Sequence, residues 1–210
     1  MKAVQKIFLF LFVIGLTFPA MAKNYISGGY RVDLVPGSEY YEYYPRGFFI
    51  QSGTYAAPNI PVSFVLGHTE TNVWGSGFLP VNDIYLGAEV GYDFALGSNT
   101  SKLQLNVGYL GRAPIEQLSD ESIADFFGTI GHQGHISATY FAFVNSIVST
   151  EARFKMTLSE QRKPPTVASF WTISPLETLF VRFGLEVSTA FSSIDGFESF
   201  GAQTEFGFRF

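Results

Sequence analysis

Phe200-Gly-Ala-Gln-Thr-Glu-Phe-Gly-Phe-Arg-Phe210 is the stretch that decides the fold. With a period of two, Phe200, Ala202, Thr204, Phe206, Phe208 and Phe210 fall on one side of a strand, and Gln203, Glu205, Gly207 and Arg209 on the other. One side is apolar and the other charged, so something must cover a row of phenylalanines that runs to the last residue.

The same alternation recurs upstream. Ile84, Leu86, Ala88, Val90, Tyr92 and Phe94 alternate with Asp83, Tyr85, Gly87, Glu89, Gly91 and Asp93. Leu103, Leu105, Val107 and Tyr109 stand against Lys102, Gln104, Asn106 and Gly108, and Ala152, Phe154, Met156 and Leu158 against Glu151, Arg153, Lys155 and Thr157. Leu179, Val181, Phe183, Leu185 and Val187 oppose Thr178, Arg182, Gly184, Glu186 and Ser188. Weaker patterns predict strands at Asn24 to Val32, Gly47 to Ala56, Ile60 to His68 and Thr166 to Ser174. His135 to Val148 carries aromatics on both parities; its even set, Ile136, Ala138, Tyr140, Ala142 and Val144, is the more uniformly apolar and is assigned outward. With the terminal strand the total is ten.

That aromatic, Phe-terminated last strand resembles the closing strand of Gram-negative outer-membrane β-barrels. The resemblance implies an all-β, transmembrane, antiparallel up-and-down barrel with short periplasmic turns and long extracellular loops. It also implies that Phe206, Phe208 and Phe210 are the signal read by the barrel-assembly machinery, and that outer-membrane lipid and lipopolysaccharide surround the barrel. The connections follow the implied rhythm: Asp33 to Arg46, Thr69 to Asn82, Gly111 to Gly134 and Thr189 to Ser199 are long, and Glu160 to Pro165 is intermediate. Pro58-Asn59, Leu96 to Thr100, the gap near Ser149 and Ser174 to Glu177 are short. An even count of ten is expected, with eight and twelve as alternatives.

At the other end, Lys2 and Lys6, the apolar run Ile7 to Leu16 and Ala20-Met21-Ala22 form the pattern of a secretory signal peptide, residues 1–22. The run is well short of the ~20 apolar residues of a spanning helix. The barrel domain is then 23–210. There is no cysteine, which excludes a lipid-anchored cysteine, disulfides and thiolate chemistry. Without Lys2 and Lys6 the 13 basic residues become 11, against 18 acidic ones, a net charge of −7. Nucleic acid is an unsuitable partner for such a chain. The 23 Phe, 11 Tyr and 21 Gly beside only 15% charged residues suit strands that face lipid and pack closely.

The parity of the strands sends Arg31, Lys102, Arg153, Lys155, Arg182 and Arg209 into the lumen with Asp83, Glu89, Asp93, Glu151, Glu186 and Glu205. Equal numbers of cations and anions predict a filled, salt-bridged interior rather than a ring of one sign. Asp93 with Lys102, and Arg182 with Glu205, are the pairs expected from hairpin register.

His135 and Ser137 sit two apart on one face, as a hydrolase dyad requires. This is similar to the His-x-Ser element of outer-membrane phospholipases and lipid A deacylases. In those families an Asn commonly follows the Ser, where Ala138 stands here. Glu160, the nearest acid across the hairpin, has the opposite parity, and an inward Ser137 cannot meet a lipid, so no enzymatic activity is expected. His132 and His135 are separated by a turn-like Gln133-Gly134 and His68 is on another strand, so no metal site is expected. No cofactor is implied.

Two outer segments, Glu39 to Arg46 and Asn72 to Phe78, carry Tyr40, Tyr41, Tyr43, Tyr44, Trp74 and Phe78. Such aromatics with polar tips suit an interfacial girdle or contact with an extracellular ligand. Ser119 to Gly128, with a Ser cap, early acids and a Gly stop, predicts a short loop helix. The expected role is structural or surface recognition, the alternatives being a narrow porin-like channel and a lipid-modifying hydrolase.

Overall fold

The computed structural model describes residues 24–34, 42–74, 81–97, 100–114, 131–158, 165–188 and 199–210. They form ten strands: β1 (Tyr25–Leu34), β2 (Glu42–Ala57), β3 (Ile60–Trp74), β4 (Val81–Ala95), β5 (Ser101–Pro114), β6 (Gly131–Phe143), β7 (Val148–Leu158), β8 (Thr166–Leu176), β9 (Leu179–Ser188) and β10 (Ser199–Arg209). Each strand pairs antiparallel with its neighbours in sequence, and β1 pairs with β10 to close the barrel. Closure leaves no edge, so no row of backbone donors and acceptors lies open along a side. The terminal stretch is half of that seam, with Gly28 opposite Phe206 and Ile26 opposite Phe208.

Alternation sorts the side chains as the sequence predicts. Phe48 on β2, Val107 on β5 and Phe206 on β10 are 68%, 60% and 60% exposed on the outside, whereas the inward Phe49 and Glu205 are 6% and 0% exposed. An outer surface of this kind is stable in hydrocarbon, and a water-facing one would leave the apolar band uncovered. On β6 the even set is indeed outward, with Ile136 and Tyr140 exposed.

Both ends of the described chain and all four short connections lie at one end of the barrel, here called the turn end; the opposite end is the loop end. Backbone hydrogen bonds stitch the turn end: Asn59, Thr100, Ile147 and Thr178 carbonyls accept from Asp93, Phe143, Ser174 and Arg209, and Asn24 accepts from Phe210 at 2.9 Å. Gly97, at φ 64, supplies the left-handed residue of the β4–β5 turn.

Several predicted boundaries are corrected. β6 stops at Phe143 and β7 starts at Val148, so the strand does not run to Val148 and the turn is not near Ser149. The Asn145 carboxamide oxygen accepts from the Ile147 and Val148 amides, both at 2.8 Å, and this side-chain turn ends the strand. β2, β3, β4 and β5 are longer than predicted, at 16, 15, 15 and 14 residues. Residues assigned to loops, including 42–46 and 69–74, therefore belong to paired strands, as polar strand residues beyond an apolar band leave no hydrophobic signal. Residues 1–22 and the predicted helix at Ser119 to Gly128 lie outside the described residues.

Inside, large rings lie over glycines directly opposite on the neighbouring strand: Tyr25 over Gly53, Phe49 over Gly29, Tyr85 over Gly67, Phe170 over Gly184 and Phe180 over Gly207. A Cβ at any of these glycines would come within 2.4 Å of the ring. The high glycine content thus makes room for inward aromatics in a narrow lumen.

Candidate functional site: the lumen

From the turn end upward, the lumen is a series of polar clusters on aromatic supports. Lowest, Lys102 of β5 donates to Asp93 of β4 at 2.7 Å and to the Tyr55 hydroxyl of β2 at 2.9 Å. Tyr55 and Gln104 donate to the same carboxylate at 2.8 and 2.7 Å. The Lys102 ammonium also lies 4.5 Å from the Phe141 ring centre.

Above it, Arg182 of β9 is held between Glu151 of β7 and Glu205 of β10. Glu205, with no exposure, also accepts from the Ser27 hydroxyl. The Arg182 guanidinium carbon lies over the Phe170 ring at 4.1 Å, and its Nε is buried without a partner among the described residues. A buried arginine between two carboxylates is sustained by mutual pairing, since each charge alone would carry a large desolvation cost.

At the next level the His135 Nε2 of β6 meets Glu89 Oε1 of β4 at 2.7 Å. These strands flank β5, and the pair forms across Gly108, where a Cβ would lie 2.2 Å from His135 Nε2. Asn106 donates to the Ser137 hydroxyl at 3.2 Å, and Arg153 Nε donates to Thr139 at 3.3 Å. Nearest the loop end, Arg31 of β1 grips Asp33 at 2.7 Å and Glu186 of β9 at 2.8 Å, passing over Gly201 of β10. Asp83 faces Arg112 at 3.5 Å.

The two pairs expected from register, Asp93–Lys102 and Arg182–Glu205, both form. Other pairs skip a strand: Arg31–Glu186, Arg182–Glu151 and His135–Glu89. Direct-neighbour register cannot reveal them, but an inward glycine on the intervening strand, as at Gly108 and Gly201, is a usable signal. Arg112 and Asp33 also belong to the network, on the inward parity of strands that extend further than predicted. Arg153, Lys155 and Arg209 have no carboxylate within ion-pair distance among the described residues; Arg209 donates to Ser174 at 2.9 Å.

His135 and Ser137 face the lumen and are buried, at 4% and 5% exposure. An acid does orient His135, but it is Glu89, not a residue across the β6–β7 hairpin. That imidazole nitrogen meets the carboxylate, and the serine oxygen accepts from the Asn106 carboxamide. His132 lies on the outer face against the Tyr109 hydroxyl, so the two histidines are on opposite sides of β6. Among the described residues no three His, Cys, Asp or Glu side chains are grouped as a metal would require.

Of the outer aromatics, Tyr43 and Tyr44 pair with Val73 and Asn72, and Trp74 with Glu42, so these three lie on strands rather than in loops. Tyr40, Tyr41 and Phe78 lie outside the described residues. Just below, the outward Arg46 and Glu70 approach at 3.5 Å.

The turn-side half of the lumen holds a cavity of about 210 Å³, lined among others by Tyr55, Lys102, Phe141, Arg153, Arg182 and Arg209.

No protein-family model and no curated protein matches this sequence. Solved structures do match. An outer-membrane channel from Pseudomonas putida F1 is similar over 92% of this chain and 97% of its own, with a TM-score of 0.59 and 6% identity. The translocator domain of an autotransporter from Neisseria meningitidis gives 0.52 at 9% identity over 100% and 96% of the two chains. The β-domain of a Bordetella autotransporter gives 0.50 at 9% identity over 90% and 98%. The fold is that of the outer-membrane β-barrels of Gram-negative bacteria.

Proposed function

We propose that this outer-membrane barrel is closed to free passage of solutes and acts at the cell surface, as a structural or recognition protein, through the wall of strand that rises at its loop end. The observation that carries this reading is the length of β2 to β5, 14 to 16 residues. A tilted strand crosses a bilayer in ~9–11 residues, so these four strands have roughly four to six to spare. The surplus lies at the loop end, where the outward charges Arg46 and Glu70 are unsuited to hydrocarbon and mark the upper limit of the lipid band. A paired backbone is a more rigid platform for contacts than a loop, and the sequence of these strand ends is rich in tyrosine and tryptophan, which combine apolar area with a hydrogen-bonding tip.

The interior supports closure. Glu205, Thr139 and Arg182 are buried at mid-height, and the ion pairs Arg31–Glu186, His135–Glu89 and Arg182–Glu151 bind the wall to itself. The test is Tyr→Ser substitution at Tyr40, Tyr41, Tyr43 and Tyr44. Cells displaying the wild type are expected to be retained on at least one glycan or matrix protein of an immobilised panel, and cells displaying the variant, equally folded, to be lost from it. Wild-type cells retained no better than cells lacking the barrel would refute the recognition role.

The alternative of a narrow channel is favoured by one observation, the cavity in the turn-side half of the lumen. It would require a route past the Arg31, Asp33 and Glu186 cluster.

A further inference from the structure

We infer that the cavity in the turn-side half of the lumen is a binding site for a small oxyanion, with phosphate or carboxylate chemistry, reached from the turn end. Its volume of about 210 Å³ equals the liquid share of roughly seven waters, enough for such an ion and part of its hydration. What singles the cavity out is the state of its polar groups.

Every carboxylate on its wall is already engaged. Glu89 faces His135, and Glu151 and Glu205 hold Arg182. Asp93, behind Lys102, accepts from Lys102, Tyr55 and Gln104.

The arginines on the wall are not matched in the same way. Arg209, near the mouth, places one nitrogen on Ser174 and its plane 4.9 Å from the Phe180 ring centre. Arg153, further in, uses Nε for Thr139 and lies 5.5 Å from the Phe170 ring centre. Neither meets a carboxylate among the described residues, and the buried Arg182 Nε in the same wall has no acceptor among them either.

A guanidinium has five N–H donors and no acceptor capacity. Two arginines with most of their forks unused, on a wall whose acids are committed, form a surface with an excess of donors. Both guanidinium groups lie beside a ring and line the cavity, and a guanidinium fork suits bidentate contact with a planar or tetrahedral oxyanion. The attraction rests on these directional donors rather than on net charge, because the carboxylates nearby offset the cations in sum. The ligand is therefore small and strongly accepting, and a cation finds the carboxylates on the wall already engaged.

The experiment uses the full mature barrel folded in a maltoside detergent, which carries no phosphate, and titrates inorganic phosphate by calorimetry at constant ionic strength set with chloride. Acetate is titrated in parallel to separate carboxylate from phosphate preference. Saturable binding by the wild type is expected, weakened at least tenfold by Arg209→Ala and by Arg153→Ala. Arg112→Ala, which alters a cation near the loop end, should leave it within twofold. Heat-modifiable gel migration reports folding of each variant, and Arg209→Ala at the strand end decides the matter alone if Arg153→Ala does not fold. Absence of saturable binding of either anion to the wild type, or equal binding by the Arg209 and Arg112 variants, overturns the inference.

Discussion

His135 Nε2 and Glu89 Oε1 stand 2.7 Å apart although β6 and β4 are not neighbours, because the residue between them, Gly108 on β5, has no side chain. A methyl group there would fall 2.2 Å from the imidazole nitrogen and 2.8 Å from the Glu89 Cγ. Gly108→Ala should therefore separate the pair, and its cost in a packed interior is about 1–3 kcal/mol. Urea unfolding of the folded barrel should show this loss, and Gly131→Ala at the rim, where the nearest atom to a new Cβ is 3.5 Å away, should show little. Equal stability of the Gly108 variant and wild type would contradict the role given to this glycine.

Arg182 is the cation shared by Glu151 and Glu205, and removing it leaves two buried carboxylates facing each other. Arg182→Ala is expected to cost roughly 3–5 kcal/mol at neutral pH, as for other buried pairs broken on one side. Adding Glu205→Gln, which cancels one of the stranded charges, should recover part of that loss. Denaturant midpoints of the single and double variants check the coupling, and strictly additive losses would show that no triad exists.

Val90 and Val107 are directly paired on the outer surface, at 49% and 60% exposure. If this surface meets hydrocarbon, Val107→Arg should destabilise the barrel in lipid by about 2–4 kcal/mol. Folding in thin bilayer vesicles followed by gel shift measures it. A change well tolerated at Val107 would mean that this face does not lie in lipid.

Ser137 is buried and accepts from Asn106, so Ser137→Ala should leave the membrane barrel folded, and neither form should release fatty acid from phospholipid or lipid A. Mass spectrometry of the lipids after incubation is the check. Release by the wild type, lost in Ser137→Ala, would establish the hydrolase reading instead.

Most of the architecture is legible in the residues because a barrel wall has two chemically opposed faces, and a period of two between Asp83 and Phe94 or Phe200 and Phe210 records both at once. Parity alone places Arg182 and Glu205 inside and Phe206 outside. The strand ends at the loop side are not legible, since polar residues such as Arg46 and Glu70 take outward positions there and remove the apolar half of the pattern. The β6–β7 boundary is hidden for a different reason: the turn at Asn145 is built by one side chain accepting two amides, between residues that look like strand on either side. The strand-skipping ion pairs depend on three strands in register, and no single hairpin contains the information. The orientation of His135 by Glu89 belongs to that class.

Closure of the barrel to solutes by its own ion pairs is measured most directly by single-channel recording of the purified wild type in planar bilayers. A barrel sealed in this way shows no discrete conductance steps above the bilayer baseline in molar salt. Regular ohmic steps from the wild type, proportional to salt concentration and absent from heat-denatured samples, would contradict it and make the protein a channel.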